Sequence, residues 1–143
     1  MTTHCCILWS VRNNHWKVDQ KIIYHQKKIK DASYTLWGVN FLMNKDKFRC
    51  PIKGFMHVKG TGNVYYETRV IDIIRENDIS EVTFNNHIPE LFQNFRFKTY
   101  LALDKLEKLS KPIPTEIFKK CDNDEFIGNA PQSYISVKLP DLI

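Results

Sequence analysis

The chain has no purely apolar run longer than Cys5-Cys6-Ile7-Leu8-Trp9, far short of the roughly 20 residues a membrane-spanning helix requires. Its first residues, Met-Thr-Thr-His, lack the basic stretch followed by an apolar one that marks a secretory signal. A cytoplasmic protein with no membrane partner is therefore expected. Cysteine is scarce: Cys5, Cys6, Cys50 and Cys121 are irregularly spaced, with no C-x-x-C pair. That pattern suggests neither a disulfide framework nor a zinc site, so four reduced thiols are expected, with Cys5 and Cys6 on a strand. Glycine and proline are also few, 5 and 6 in 143 residues, which excludes a collagenous or low-complexity chain. Repeats and internal linkers are absent, and the length suits a single domain over residues 1–143.

The sequence motifs of the common enzyme classes are missing as well. Gly60-Thr61-Gly62 satisfies neither the G-x-x-x-x-G-K-[ST] phosphate loop nor the G-x-G-x-x-G dinucleotide fingerprint, and reads instead as a hairpin turn. There is no G-x-S-x-G elbow and no H-E-x-x-H. His4, His15, His25, His57 and His87 are scattered, without the spacing that puts two metal ligands on one helical face. No metal, cofactor or catalytic residue is expected. A cysteine nucleophile is left open, because its partners would meet only in the fold, but no Cys is favoured over a buried thiol.

What the chain does have is positive charge in its first half and many large aromatic residues there. The net charge is +5, yet up to Thr61 there are 11 Lys and Arg against 3 Asp and Glu, and after it 10 against 13. Trp9, Trp16, Tyr24, Tyr34, Trp37, Phe41 and Phe48 all lie in the same basic half. Aromatic rings stack on bases at roughly 1–3 kcal/mol per base, and Lys and Arg neutralise phosphates irrespective of sequence. The competing reading, on equal footing by pattern alone, makes Trp9 and Trp37 core residues and the lysines a solvated face.

Periodicity predicts an order of elements. Cys5 to Val11 is an apolar strand fit to be buried on both faces. Asn13 and Asn14 offer helix caps, and Val18, Ile22, His25 and Ile29 form the apolar stripe of a basic amphipathic helix. Tyr34 to Val39 is a short strand, followed by a polar, basic loop through Arg49 that ends at Cys50-Pro51. Ile52 to Val58 and Val64 to Ile74 flank the glycine turn as a hairpin. Arg75 to Phe95 has no clean period beyond a possible short helix at Pro89 to Gln93, and so long a connection suggests function. Arg96 to Leu103 is predicted as a strand, Asp104 to Ser110 as an extended or strand-like segment, Thr115 to Lys120 as a short helix after Pro112-x-Pro114, and Ser133 to Val137 as the last strand. The fold class is α+β: a strongly bent mixed sheet or small barrel with two or three peripheral helices.

In this order the motifs resemble a PUA-like domain of the EVE and YTH group. The resemblance rests on Ile7-Leu8-Trp9-Ser10-Val11-Arg12-Asn13-Asn14 ahead of a helix, then Thr35-Leu36-Trp37-Gly38-Val39, which is similar to the Ile-Trp-Gly-Val of EVE domains. It extends over Phe55-Met56-His57-Val58-Lys59-Gly60-Thr61-Gly62-Asn63-Val64-Tyr65, and over Phe97 to Leu103 with Lys111-Pro112-Ile113-Pro114. It implies a pocket that takes a flipped-out, usually methylated base between aromatic walls and does no chemistry on it. By position Trp37 is the leading cage wall, while Ser10 and Asn14 or Asn13 would read the base edge. The second wall, supplied in YTH domains from the loop after the hairpin, falls to Phe84, Phe92 or Phe95, or to Trp16 from the helix side. Lys17, Lys21, Lys27, Lys28, Lys45, Lys47, Arg49 and Lys53 are candidates for backbone contacts.

The resemblance implies DNA, favoured over RNA, as the partner, and a place as the targeting domain of an McrBC-type modification-dependent restriction system with further domains or subunits. An abruptly apolar end, Pro140-Asp141-Leu142-Ile143, is compatible with a fragment of such a subunit. The alternatives are an RNA-binding PUA-like module, a small ASCH-like amidohydrolase and a protein-interaction domain.

Overall fold

The structure is a computed structural model and describes residues 5–14, 16–131 and 133–140. His4 and His15, and the segments before Cys5 and after Pro140 that figure in the sequence reading, lie outside the described residues. The fold is α+β, with six strands, β1 (Cys5–Val11), β2 (Thr35–Val39), β3 (Ile52–Val58), β4 (Asn63–Arg75), β5 (Thr99–Pro114) and β6 (Tyr134–Lys138), and two α-helices, α1 (Val18–Ala32) and α2 (Glu81–His87). The strands form a mixed sheet in the order β2-β5-β4-β3-β1-β6. Residues group into two compact units. One holds the chain up to Val18 with Ile52–Thr68 and the chain from Glu107 on; the other holds Asp19–Pro51 and Arg69–Leu106.

In the first unit β1 pairs with β3 in parallel, Trp9 opposite Met56, and with β6 antiparallel, Trp9 opposite Tyr134. A strand with partners on both edges and an apolar sequence has no solvated face, and Ile7, Leu8 and Trp9 are fully buried. Cys6, Leu8, Phe55, Val64, Ile113, Phe118 and Val137 make the core of this unit, with the Phe55 and Phe118 rings edge to face, centroids 5.3 Å apart. The β3–β4 turn is the expected glycine hairpin: Gly60 and Gly62 sit at φ 92° and 71°, a region that costs glycine little, and the Thr61 amide donates to the Val58 carbonyl.

One expectation is corrected in this unit. Cys5 and Cys121 form a disulfide, with Cα atoms 5.8 Å apart and a sequence separation of 116. The reading of four reduced thiols failed because the pairing is made by register: the Cys121 amide donates to Ser136 of β6, and β6 lies along β1. Strand β5, 16 residues long, joins the predicted strand to the extended or strand-like segment after it and runs on to Pro114. Its polar stretch from Lys105 to Lys111 is held in the sheet by a neighbouring strand.

In the second unit β2 pairs antiparallel with β5, Trp37 opposite Leu101 and Gly38 opposite Tyr100. Helix α1 follows the predicted stripe, with Ile22 and His25 buried and Ile29 half-buried. It ends at Ser33, whose φ of 75° and amide bond to the Ile29 carbonyl make a left-handed C-terminal cap. The segment from Arg75 to Phe95 is not an irregular connection. It contains α2, started by Ser80 accepting from the Thr83 amide, and short 3-10 turns at Glu76–Asp78 and Glu90–Phe92. Only Phe84 of α2 is buried, so no apolar period existed to find; the capping serine was its one local signal. The following strand begins at Thr99, not Arg96.

Candidate functional site

The second unit carries a cluster of flat rings built from three elements. Helical spacing from Ile22 puts His25 on the buried side of α1, β2 contributes Trp37, and the 3-10 turn after α2 contributes Phe92. The His25 ring lies 4.5 Å from Trp37, planes 33° apart, and 5.1 Å from Phe92, planes 16° apart. Tyr24, 43% exposed, meets the Phe92 ring edge-on at 6.3 Å. Next to this cluster in sequence, Tyr34 stacks on His87 with centroids 3.7 Å apart and planes 8° apart.

His25 is held by chemistry as well as by stacking. Its Nδ1 is 2.7 Å from the Thr35 hydroxyl, and that hydroxyl donates to the His87 carbonyl at 3.4 Å. A hydroxyl has one proton and a carbonyl can only accept, so both contacts are satisfied when His25 carries its proton on Nδ1 and donates to Thr35. Burial, with a smaller contribution from the Lys21 charge, pushes the His25 pKa down to about 3. The ring is therefore neutral at physiological pH, a flat, uncharged heterocycle lying against an indole and a phenyl ring.

The remaining sequence-derived site residues are distributed over both units. Trp37 is buried, 5% exposed, as are Phe92 and Phe84. Phe84 is engaged elsewhere: Tyr100 meets it edge-on at 6.1 Å, and the Arg96 guanidinium sits 3.6 Å above its ring. Phe95 is exposed. In the first unit, the Ser10 hydroxyl donates to the Pro131 carbonyl at 2.8 Å and stands 3.0 Å from His57 Nδ1. With its proton spent on Pro131, Ser10 accepts from His57, the reverse of the direction a base needs to activate a nucleophile. Asn13 accepts from the Val18 amide at 2.8 Å and so caps α1; Asn14 is exposed and bridges to the half-buried Trp16.

Of the basic residues, Lys27, Lys45, Lys47 and Arg49 are exposed and Lys21 and Lys28 half-buried in the second unit, with Lys17 exposed in the first. Lys53 is paired with Glu67 at 3.4 Å. No group of His, Cys, Asp and Glu among the described residues is arranged to hold a metal ion. The Cys6 thiol is pushed up to about 11 by burial, against a smaller opposing effect of Lys53. Burial and Asp72 likewise raise Cys50, so neither supplies a thiolate near neutral pH. No helix of the described chain is long and apolar enough to cross a membrane.

Sequence reasoning placed His25 on the apolar stripe but did not see it as part of the aromatic cluster; the packing of α1 brings it to Trp37 of β2, a juxtaposition no spacing rule contains. It also gave no role to Gly38, where any Cβ would collide with the Phe97 ring, so the Trp-Gly-Val of β2 is in part a packing requirement. No family model, curated protein or solved structure matches the chain.

Proposed function

We propose that this chain is a non-catalytic, PUA-like module of the EVE and YTH kind that recognises nucleic acid, DNA in preference to RNA, through a modified, methylated base. The observation that carries the reading is the ring cluster of the second unit, in which one flat neutral heterocycle, His25, lies against Trp37 and Phe92. A flipped-out base is a ring of the same stacking kind and would take the place of the imidazole, which would give up its side-chain hydrogen bond to Thr35. Unstacking a base costs a few kcal/mol, and stacking between aromatic rings recovers about 1–3 kcal/mol. Phe95 and Tyr24 would border the base, while Lys21, Lys27, Lys28, Lys45, Lys47 and Arg49 of the same unit would meet phosphates. In a modification-dependent restriction system such a module would supply targeting, with the chemistry on other domains or subunits.

The test is binding of short DNA and RNA strands, with and without N6-methyladenine or 5-methylcytosine, to wild type, Trp37→Phe, Trp37→Leu and His25→Ala, with folding of each variant checked by thermal unfolding. A methylated strand should bind about tenfold or more tightly than its unmodified counterpart, the margin that burying one methyl group in an apolar pocket supplies. Trp37→Leu should lose that margin, Trp37→Phe should keep part of it, and His25→Ala, which vacates the space, should keep it. Equal binding of all strands with a silent Trp37→Leu overturns the reading. A preference for RNA would move it to an RNA-binding PUA-like module, and hydrolysis of small amides to an ASCH-like enzyme.

A further inference from the structure

We infer a second ligand site in the second unit: an anion-binding cleft for the phosphate of a nucleotide, at the place where β4 ends and β5 is about to begin. Leu42, Arg75, Glu76, Asn77, Arg96, Phe97 and Lys98 line an open cleft of about 440 Å³, within the size range of small-molecule sites. Its floor is fixed by the bond from the Glu76 amide to the Lys98 carbonyl, and Lys98 in turn donates its amide to Val39 of β2.

The charges of the cleft do not cancel. Arg96 is neutralised by Glu76 at 3.5 Å and Glu81 at 3.1 Å, which also uses up the one carboxylate of the lining. Arg75 is different. Half-buried, it donates from Nε and Nη2 to the Met43 carbonyl at 3.3 and 3.1 Å, a neutral acceptor, and no carboxylate among the described residues pairs with it. A half-buried guanidinium, aimed by a backbone carbonyl and lacking a carboxylate counterion among the described residues, is half of a charge-assisted pair whose other half is an anion. The Lys98 side chain, exposed and likewise without a carboxylate partner among the described residues, adds a second positive charge at the rim.

The rest of the lining selects among anions. Phe97, held over Gly38 and edge-on to Tyr100 at 6.1 Å, and Leu42, 58% exposed, give an apolar flank of the kind on which a base or sugar lies. Asn77 supplies an amide that can both donate and accept. Phosphate at Arg75 and Lys98, with a base against Phe97 and Leu42, describes a nucleotide, either free or as one residue of a strand. In the second case the cleft rests on the nucleic-acid reading above and adds a nucleotide contact to it.

Both sources are tested by titrating the full chain with adenosine monophosphate, adenosine, inorganic phosphate and a fluorescein-labelled unmodified single strand. Arg75→Gln, which keeps an amide toward Met43, Lys98→Glu and Leu42→Ser probe the cleft, and Lys108→Glu controls for charge. Adenosine monophosphate should bind and adenosine should not, and Arg75→Gln and Lys98→Glu should each weaken binding about tenfold, with Lys108→Glu near wild type. If the strand is the true ligand, the same variants should weaken strand binding and lower the slope of log affinity against log salt by about one each. Wild-type binding of both ligands by Arg75→Gln and Lys98→Glu overturns the cleft, and so does binding of neither ligand by wild type. Methyl discrimination that survives these variants leaves the base-recognition reading intact, and nucleotide binding without strand binding sinks that reading while keeping the cleft.

Discussion

The imidazole of His25 lies 4.5 Å from the indole of Trp37, planes 33° apart, while its Nδ1 reaches the hydroxyl of Thr35. A buried, neutral histidine in this position makes the second unit sensitive to acid. Its folded pKa of about 3 lies below the ordinary 6.5, so in that window the unfolded chain binds a proton that the folded chain refuses. Stability is therefore complete above 6.5 and falls as pH drops toward 3, by up to about 1.4 kcal/mol per pH unit. His57, also lowered by burial, acts in the same direction. Urea unfolding across this window should show a shallower loss in His25→Phe, which keeps a ring but cannot titrate.

Gly54 has no room for a side chain. A Cβ there would stand 2.7 Å from Trp9 Cζ3 and closer still to the Thr68 hydroxyl, in a region where both residues are buried. Among the described residues the hydroxyl and the Trp9 Nε1 already have no hydrogen-bond partner, so the site has nothing to gain from a shift. Gly54→Ala should cost about 1–3 kcal/mol, read as a lower denaturant midpoint with an unchanged slope.

Ser10 joins Pro131 and His57. Removing its hydroxyl leaves a carbonyl and a ring N–H without their partner, at a cost of about 1–3 kcal/mol. Ser10→Ala should accordingly lower the unfolding midpoint and leave the preference for a methylated strand unchanged; loss of that preference in a folded variant would put Ser10 at the base edge instead.

The Cys5–Cys121 bond closes a loop of more than a hundred residues. Cys121→Ser, or reductant, should lower stability by about 2–5 kcal/mol. Alkylation of the unreduced, denatured protein followed by mass spectrometry should label Cys6 and Cys50 only. Labelling of all four in protein from a reducing cytoplasm would show that the bond forms only under oxidising conditions.

Much of the local structure was legible in the chain. β1 and β3 run between the residues that their apolar composition marks, the glycine pair makes the hairpin it advertises, and the stripe through Ile22 and His25 is the buried side of α1. These features depend on side-chain period and on backbone conformations that few residues tolerate, and both are local properties. Helix α2 was illegible for the complementary reason: it carries almost no apolar period of its own, and only the end of β5 beyond Ser110 was likewise missed.

The candidate site divides along the same line. Composition determined that aromatic rings and positive charge are concentrated in the first half of the chain, and spacing that Trp37 sits on a strand and His25 on a buried helical face. Only the tertiary structure decided that these two rings touch and that Asn13 serves a helix end. It alone paired Cys5 with Cys121 and left Arg75 beside a carbonyl with no carboxylate among the described residues to balance it. Stacking, ion pairing and disulfide formation act over a few ångströms, and which residues come within that reach is set by strand order and register, which no single stretch of sequence encodes.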